Sequence, residues 1–167
     1  MRLYVVRHAE AVERGGDLRE EDRWLTPAGR EVFRKNVRVL VRGGNAIDLI
    51  ATSPFARAVQ TADILAEAIG FAGELIVSRD LAPGFDRDGL ARLLATRGPM
   101  KRLAVVGHEP DLGLLVASLL GLKEAVSLKK GVVVALTIDP TDAAAPARLR
   151  WVAHRGKKLS RIPAEGV

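Results

Sequence analysis

The chain of 167 residues contains no cysteine. Disulfide frameworks and thiolate metal sites are therefore excluded, and redox chemistry gives no clue to compartment. Histidine is nearly as scarce, with three residues: His8, His108 and His154. A histidine-built metal centre would consume almost all of them, so neither a metal nor another cofactor is expected. Aromatic residues make up only 4%, which leaves little material for stacking on bases. Net charge is +6, but the basic residues are scattered rather than massed, and no nucleic-acid partner is expected. No apolar run approaches the roughly 20 residues of a membrane span. The first residues enter a strand-like segment at once, without an apolar leader region. The expected setting is the cytoplasm, with no membrane contact.

What is present points to a globular fold. Apolar residues make up 48%, and the length suits one domain over 1–167 with a sizeable core. The organising stretch is Leu3-Tyr4-Val5-Val6 followed by Arg7-His8. An uncharged run of this kind suits a strand buried on both faces of a parallel sheet. Its polarity flips at one residue, which puts a cation and an imidazole at the carboxyl end. In open α/β sheets that edge is where ligands bind. A strand exiting to solvent would look the same from these two residues alone, so the rest of the chain has to decide.

The chain repeats the pattern. A charged loop follows His8, and Thr26-Pro27 then starts a helix, with Thr26 as N-cap and Pro27 at the first position. Ile47–Thr52 forms a second strand. It runs into a helix capped by Thr52 or Ser53, with Arg57 near its start. An arginine there opposes the helix dipole, and a nearby anion would reconcile the two. Glu74–Val77 is a third strand, and a helix over Arg87–Thr96 follows a loop containing Asp80 and Asp86. Leu103–Gly107 is a fourth apolar strand, again ending in histidine, His108, at the start of a helix over Leu112–Leu120. Val132–Ile138 and Leu149–Ala153 form a hairpin, with a turn over Ala143–Pro146, the last strand at an edge and the tail from His154 solvated. The alternation predicts a three-layer α/β/α sandwich around a mainly parallel six-stranded sheet. It gathers Arg7, His8, Arg57 and His108 at one carboxyl edge.

That set suits phosphoryl chemistry. Arginine forks match phosphate oxygens, and helix N-termini add N–H donors. A free histidine is about three-quarters neutral at pH 7, and a neutral imidazole nitrogen can attack phosphorus. A second histidine would hydrogen-bond the phosphoryl group, most strongly when protonated.

Arg7-His8-Ala9, Ser53-Pro54-Phe55-Ala56-Arg57-Ala58-Val59-Gln60-Thr61-Ala62 and Gly107-His108-Glu109-Pro110 resemble, in order, the histidine phosphatase (phosphoglycerate mutase-like) superfamily. The short length, Leu25-Thr26-Pro27-Ala28-Gly29 and Lys129-Lys130-Gly131 resemble its SixA branch, bacterial phosphohistidine phosphatases. The resemblance implies His8 as the phosphorylated nucleophile. It implies Arg7, Arg57 and His108 as the phosphoryl pocket, and Arg23 as a further phosphate contact. Asp80 falls where larger members carry a carboxylate general acid, in a context unlike their longer motif. Ala9 stands where the family usually has glycine. The implied activity is hydrolysis of phosphohistidine on a partner protein. The alternatives are a small-molecule phosphomonoesterase and a non-catalytic phosphate-binding module.

Overall fold

The computed structural model describes residues 1–44, 46–142, 145–163 and 166–167. Seven strands form one sheet in the order β3-β2-β4-β1-β5-β6-β7. These are β1 (Arg2–Arg7), β2 (Leu49–Thr52), β3 (Glu74–Val77), β4 (Arg102–Gly107), β5 (Val133–Thr137), β6 (Arg148–His154) and β7 (Lys157–Leu159). The first four are mutually parallel, and β5, β6 and β7 add successive antiparallel partners.

Period-2 alternation divides the core. Leu3 and Val5 of β1 face one apolar cluster, with Leu90 and Leu93 of α3 (Arg87–Arg97) and Leu112, Leu115 and Val116 of α4 (Asp111–Leu120). Tyr4 and Val6 face the other, with Phe33, Val37 and Leu40 of α1 (Pro27–Arg42) and Ala58, Ala62 and Leu65 of α2 (Ala56–Ile69). The three-layer sandwich follows from that split. Among the described residues, no helix is long and apolar enough to cross a membrane.

Local chemistry sets the element ends. The Thr26 hydroxyl accepts from the Gly29 N–H at 2.9 Å, with Pro27 at the first helical position, as the sequence predicts. The second helix starts later than expected. Phe55 is its N-cap, and no side chain caps it. The Ser53 hydroxyl accepts from the Phe55 N–H at 3.3 Å, which shapes the turn ahead of the helix.

The far end of the chain differs from expectation. Leu149–Ala153 lies within β6, which is not an edge, because β7 pairs with it as a seventh strand. The reversal is a two-residue loop, Arg155-Gly156, with φ of 50° and 73°. Positive φ at both central residues matches the right-handed twist of flanking strands. Arg-Gly lacks the asparagine or aspartate that usually signals such a turn. The tail then folds back instead of ending in solvent. Val167 is fully buried, its N–H donates to the Ser127 carbonyl at 2.8 Å, and its carbonyl accepts from the Lys129 N–H. At the opposite edge the Met1 ammonium donates to the Ile138 carbonyl at 2.7 Å. The turn expected over Ala143–Pro146 lies partly outside the described residues.

One glycine fixes how α1 meets the loop after β1. A Cβ built on Gly29 would lie 2.3 Å from the Glu10 carbonyl oxygen and 2.9 Å from its nitrogen. Helix propensity favours Gly29→Ala by about 1 kcal/mol. Overpacking against backbone costs about 1–3 kcal/mol, so the clash wins. Gly29→Ala is expected to lower the urea midpoint. It should also shift the turn after His8, which NMR of the His8 ring would register, because Glu10 lies two residues from it.

Candidate active site

Strand register brings the two histidines together. Arg7 pairs with Gly107 across the parallel β1–β4 ladder, and the His8 N–H donates to the Gly107 carbonyl at 3.0 Å. His8 and His108 leave adjacent strands at one level, with ring centroids 5.2 Å apart. Both are buried.

The tautomer of His8 follows from its neighbours. Arg57 Nε lies 3.1 Å from His8 Nε2, and an arginine can only donate. Nε2 therefore holds the lone pair. Nδ1 carries the proton and donates it to the Ala9 carbonyl at 2.7 Å. Burial pushes the His8 pKa down to about 3; the Ala9 carbonyl opposes this, and the charges on His108, Arg57 and Arg7 add to it. His8 is thus neutral at pH 7, with its Nε2 lone pair accepting from Arg57. The alanine at position 9 is unstrained. Among described residues Arg155 is the one non-glycine with positive φ, so the Ala9 Cβ meets no left-handed penalty. Its N–H donates to Thr61 Oγ1 at 3.0 Å, which ties the turn after His8 to α2.

Arg57 occupies the second position of α2, where the dipole is positive. The anion expected to reconcile that placement is Glu20. Arg57 Nη2 lies 2.9 Å from the Glu20 carboxylate, and Nη1 donates to the Glu20 carbonyl at 2.6 Å. The Phe55 ring packs 5.0 Å from the guanidinium centre. Glu20 sits on a 3₁₀ turn (Glu20–Asp22) and also receives Arg14 and Arg23, each at 2.8 Å. Burial works to raise its pKa, but hydrogen bonds from Arg14 and Arg23 and the charge of Arg57 outweigh it and hold the carboxyl at about 2.

His108 is oriented from β2. Its Nε2 lies 2.7 Å from Ser53 Oγ, which already accepts from the Phe55 N–H. A hydroxyl can donate to Nε2 or accept from it, so this contact suits either tautomer of His108. Nδ1 is buried with no hydrogen-bond partner. Burial, then the charge of Arg57, lowers the His108 pKa to about 4, against an opposing pull from Glu20. Arg7 resembles it. One guanidinium nitrogen donates to the Leu128 carbonyl, while Nε is buried without a partner. The Glu109 carboxylate, held by the Leu128 and Gly113 N–H groups, favours the charged form of Arg7 against its burial.

The structure thus brings His8, Arg7, Arg57 and His108 together, and links Arg23 to them through Glu20. Asp80 is exposed on a short 3₁₀ turn after β3 and pairs with Arg92 at 3.4 Å. Glu20, Ser53, Thr61 and Glu109 were not singled out as site residues from sequence. Thr61 had a usable signal, since it lies one helical turn after Arg57 on the same face. Glu20 had none, because Arg19-Glu20-Glu21-Asp22-Arg23 reads like any solvated run. Among the described residues, no group of three or more His, Asp or Glu side chains is arranged to hold a metal ion.

Comparison with known proteins fits this geometry. Residues 3–82 match the model of the histidine phosphatase superfamily (branch 1). An uncharacterized protein of Picosynechococcus sp. is 37% identical over 118 residues, covering 68% of this chain and 69% of that one. The protein histidine phosphatase SixA complexed with tungstate superposes with a TM-score of 0.81 at 22% identity, over 93% of this chain and 97% of that one. A SixA described as a putative phosphohistidine phosphatase from Nakamurella multipartita has a TM-score of 0.73 at 26% identity, over 92% and 95%.

The two histidines make a pH prediction. With pKa values of about 3 and about 4, neither ring should titrate between pH 5 and 8, which NMR of the imidazole protons would register. The unfolded chain takes up these protons near pH 6.5 and the folded chain does not. Stability should therefore be full above about pH 6.5 and decline as the pH falls toward 4. A ring titrating near 6.5 in the folded protein would contradict the buried, hydrogen-bonded arrangement.

Proposed function

The chain belongs to the histidine phosphatase superfamily, branch 1, and from that premise we propose that it is a metal-independent, SixA-type phosphatase that removes phosphate from phosphohistidine on a partner protein. The observation that carries this is the state of the two histidines. His8 presents a deprotonated Nε2, and His108 Nδ1 is buried without a partner. With the His108 proton on Nδ1, a tetrahedral oxyanion between the two rings would accept from it and face the lone pair.

The chemistry proceeds in two displacements. His8 Nε2 attacks phosphorus, a P–N bond forms to His8, and the bond from phosphorus to the leaving imidazole breaks. Arg57 Nε–H, freed from Nε2, turns to a phosphoryl oxygen together with Arg7 and His108 Nδ1–H. These donors stabilise charge on the equatorial oxygens. Water then attacks phospho-His8, and the His8–phosphorus bond breaks to release inorganic phosphate and neutral His8. A neutral His108 suffices as donor when Ser53 donates to Nε2 and the ring proton sits on Nδ1. The incoming dianion competes with Glu20 for Arg57. Glu20 can yield, since its 3₁₀ turn has no buried residue anchoring it.

The leaving group separates the substrate classes. An alkoxide needs a proton from a positioned acid, whereas imidazole, with a pKa near 6.5, is readily protonated from solvent. Asp80 pairs with Arg92 at an exposed position, and Glu20, at about 2, is ionised and cannot donate. An ionised Glu20 and an exposed, paired Asp80 favour a phosphoimidazole over a sugar phosphate.

The test is turnover of a phosphohistidine protein and a generic phosphomonoester, with EDTA present. His8→Ala should lower phosphohistidine turnover by about 10³-fold or more, with EDTA without effect. Preference for the phosphomonoester would reverse the substrate assignment. Asp80→Asn should leave phosphohistidine turnover within about threefold of wild type, because an imidazole leaving group needs no carboxylic acid. Loss as deep as that of His8→Ala would restore Asp80 as the acid.

A further inference from the structure

A hollow of about 320 Å³ opens beside Arg7 on the side away from His108's strand. Its walls come from four places in the chain, Gly29 and Val32 of α1 forming one of them. Arg7 and Glu10 flank the catalytic turn, Lys129 and Lys130 precede β5, and His154 and Arg155 form the β6–β7 turn. Four permanent cations line it against one carboxylate, Glu10, which lies 3.4 Å from Lys130. Nothing in the dephosphorylation step described above uses Lys129, Lys130 or Arg155.

Two further observations show that the hollow is built rather than incidental. Asn36 of α1 is fully buried, and its amide clamps the two cation-bearing loops together. Nδ2 donates to the Gly131 carbonyl at 2.7 Å, and Oδ1 accepts from the Gly156 N–H at 2.7 Å. The clamp connects to the catalytic strand, since the Gly131 N–H donates to the His8 carbonyl at 3.0 Å. The second observation is Arg155 itself. It sits at φ 50°, a left-handed conformation that asparagine or glycine adopts more readily. Strain of this kind is retained where a side chain is wanted at that point. What Arg155 contributes there is a cation over the hollow.

We propose that this hollow is a second anion subsite, which takes a carboxylate or phosphate carried by the substrate next to its phosphoryl group. The proposal rests on the phosphatase reading and narrows its substrate class. On a protein the anion is an aspartate or glutamate flanking the phosphohistidine; on a small molecule it is a second acidic group. Arg7 lines both the phosphoryl pocket and the hollow, so the two anions are bound side by side with that guanidinium between them.

The experiment uses the full chain as wild type and as the double variant Lys129→Gln/Arg155→Asn. Two pairs of substrates are compared by kcat/KM. One pair is phosphohistidine peptides flanked by aspartate or by asparagine. The other is a phosphomonoester with an adjacent carboxylate and its neutral amide. Wild type should prefer the acidic member of a pair by about tenfold, with the preference shrinking as salt rises. The double variant should lose the preference while turning over the neutral member within about twofold of wild type. It should also melt higher, because asparagine relieves the strain at position 155. Lys130→Gln alone, which leaves the turn untouched, should halve the preference or more. Equal rates for both members of each pair, or a preference that survives in the variants, overturns the subsite. If neither peptide is hydrolysed but the carboxylate-bearing phosphomonoester is preferred, the subsite stands and the phosphohistidine assignment fails.

Discussion

The hydrogen bond from Arg57 Nε to His8 Nε2 is the contact on which the rest of the site depends. It forces the proton of His8 onto Nδ1 and leaves the reactive nitrogen unprotonated. Every other arrangement serves or follows from it. The Ala9 carbonyl accepts the displaced proton, Thr61 holds the Ala9 backbone, and Arg57 is aimed by its position on the first turn of α2. The parallel register of β1 against β4 then sets His108 opposite. His8 and His108 are positioned by the ladder between the strands they follow.

Burying cations at one sheet edge is costly unless their charge is answered. Each is answered differently. Arg57 has Glu20; Arg7 has the Leu128 carbonyl and the field of Glu109. The histidines stay neutral. Glu20 sits on a turn without buried residues and keeps Arg14 and Arg23 as partners, so an incoming anion can take its place at Arg57 without leaving its carboxylate unpaired.

Much of this was legible in the sequence because strands buried on both faces must read as unbroken apolar runs, and their ends stand out. Val6 to Arg7 and Gly107 to His108 are such ends, and helix signals at Thr26-Pro27 were equally plain. The opposition of Arg57 to its helix dipole announced an anion without naming it. Glu20 escaped notice because what distinguishes it from Glu21 and Asp22 is its contact across space. The seventh strand escaped because Lys157–Leu159 is short and polar, and its turn is made by an arginine in a conformation arginine rarely takes. Asn36 escaped because one polar residue on a helix face gives no sign of the two loops it joins.

The two chain termini lie at opposite edges of the sheet. Met1 is tied to Ile138, on the edge remote from the histidines. Val167 is tied to Ser127 and Lys129, in the segment whose Leu128 carbonyl holds Arg7. The two ends are therefore unequal as attachment points. Anything joined to Met1 begins at the strand ends remote from the histidines, whereas anything joined to Val167 begins against the segment that holds Arg7. A purification tag, a reporter or a tethered partner would disturb the surroundings of Arg7 more from the second than from the first.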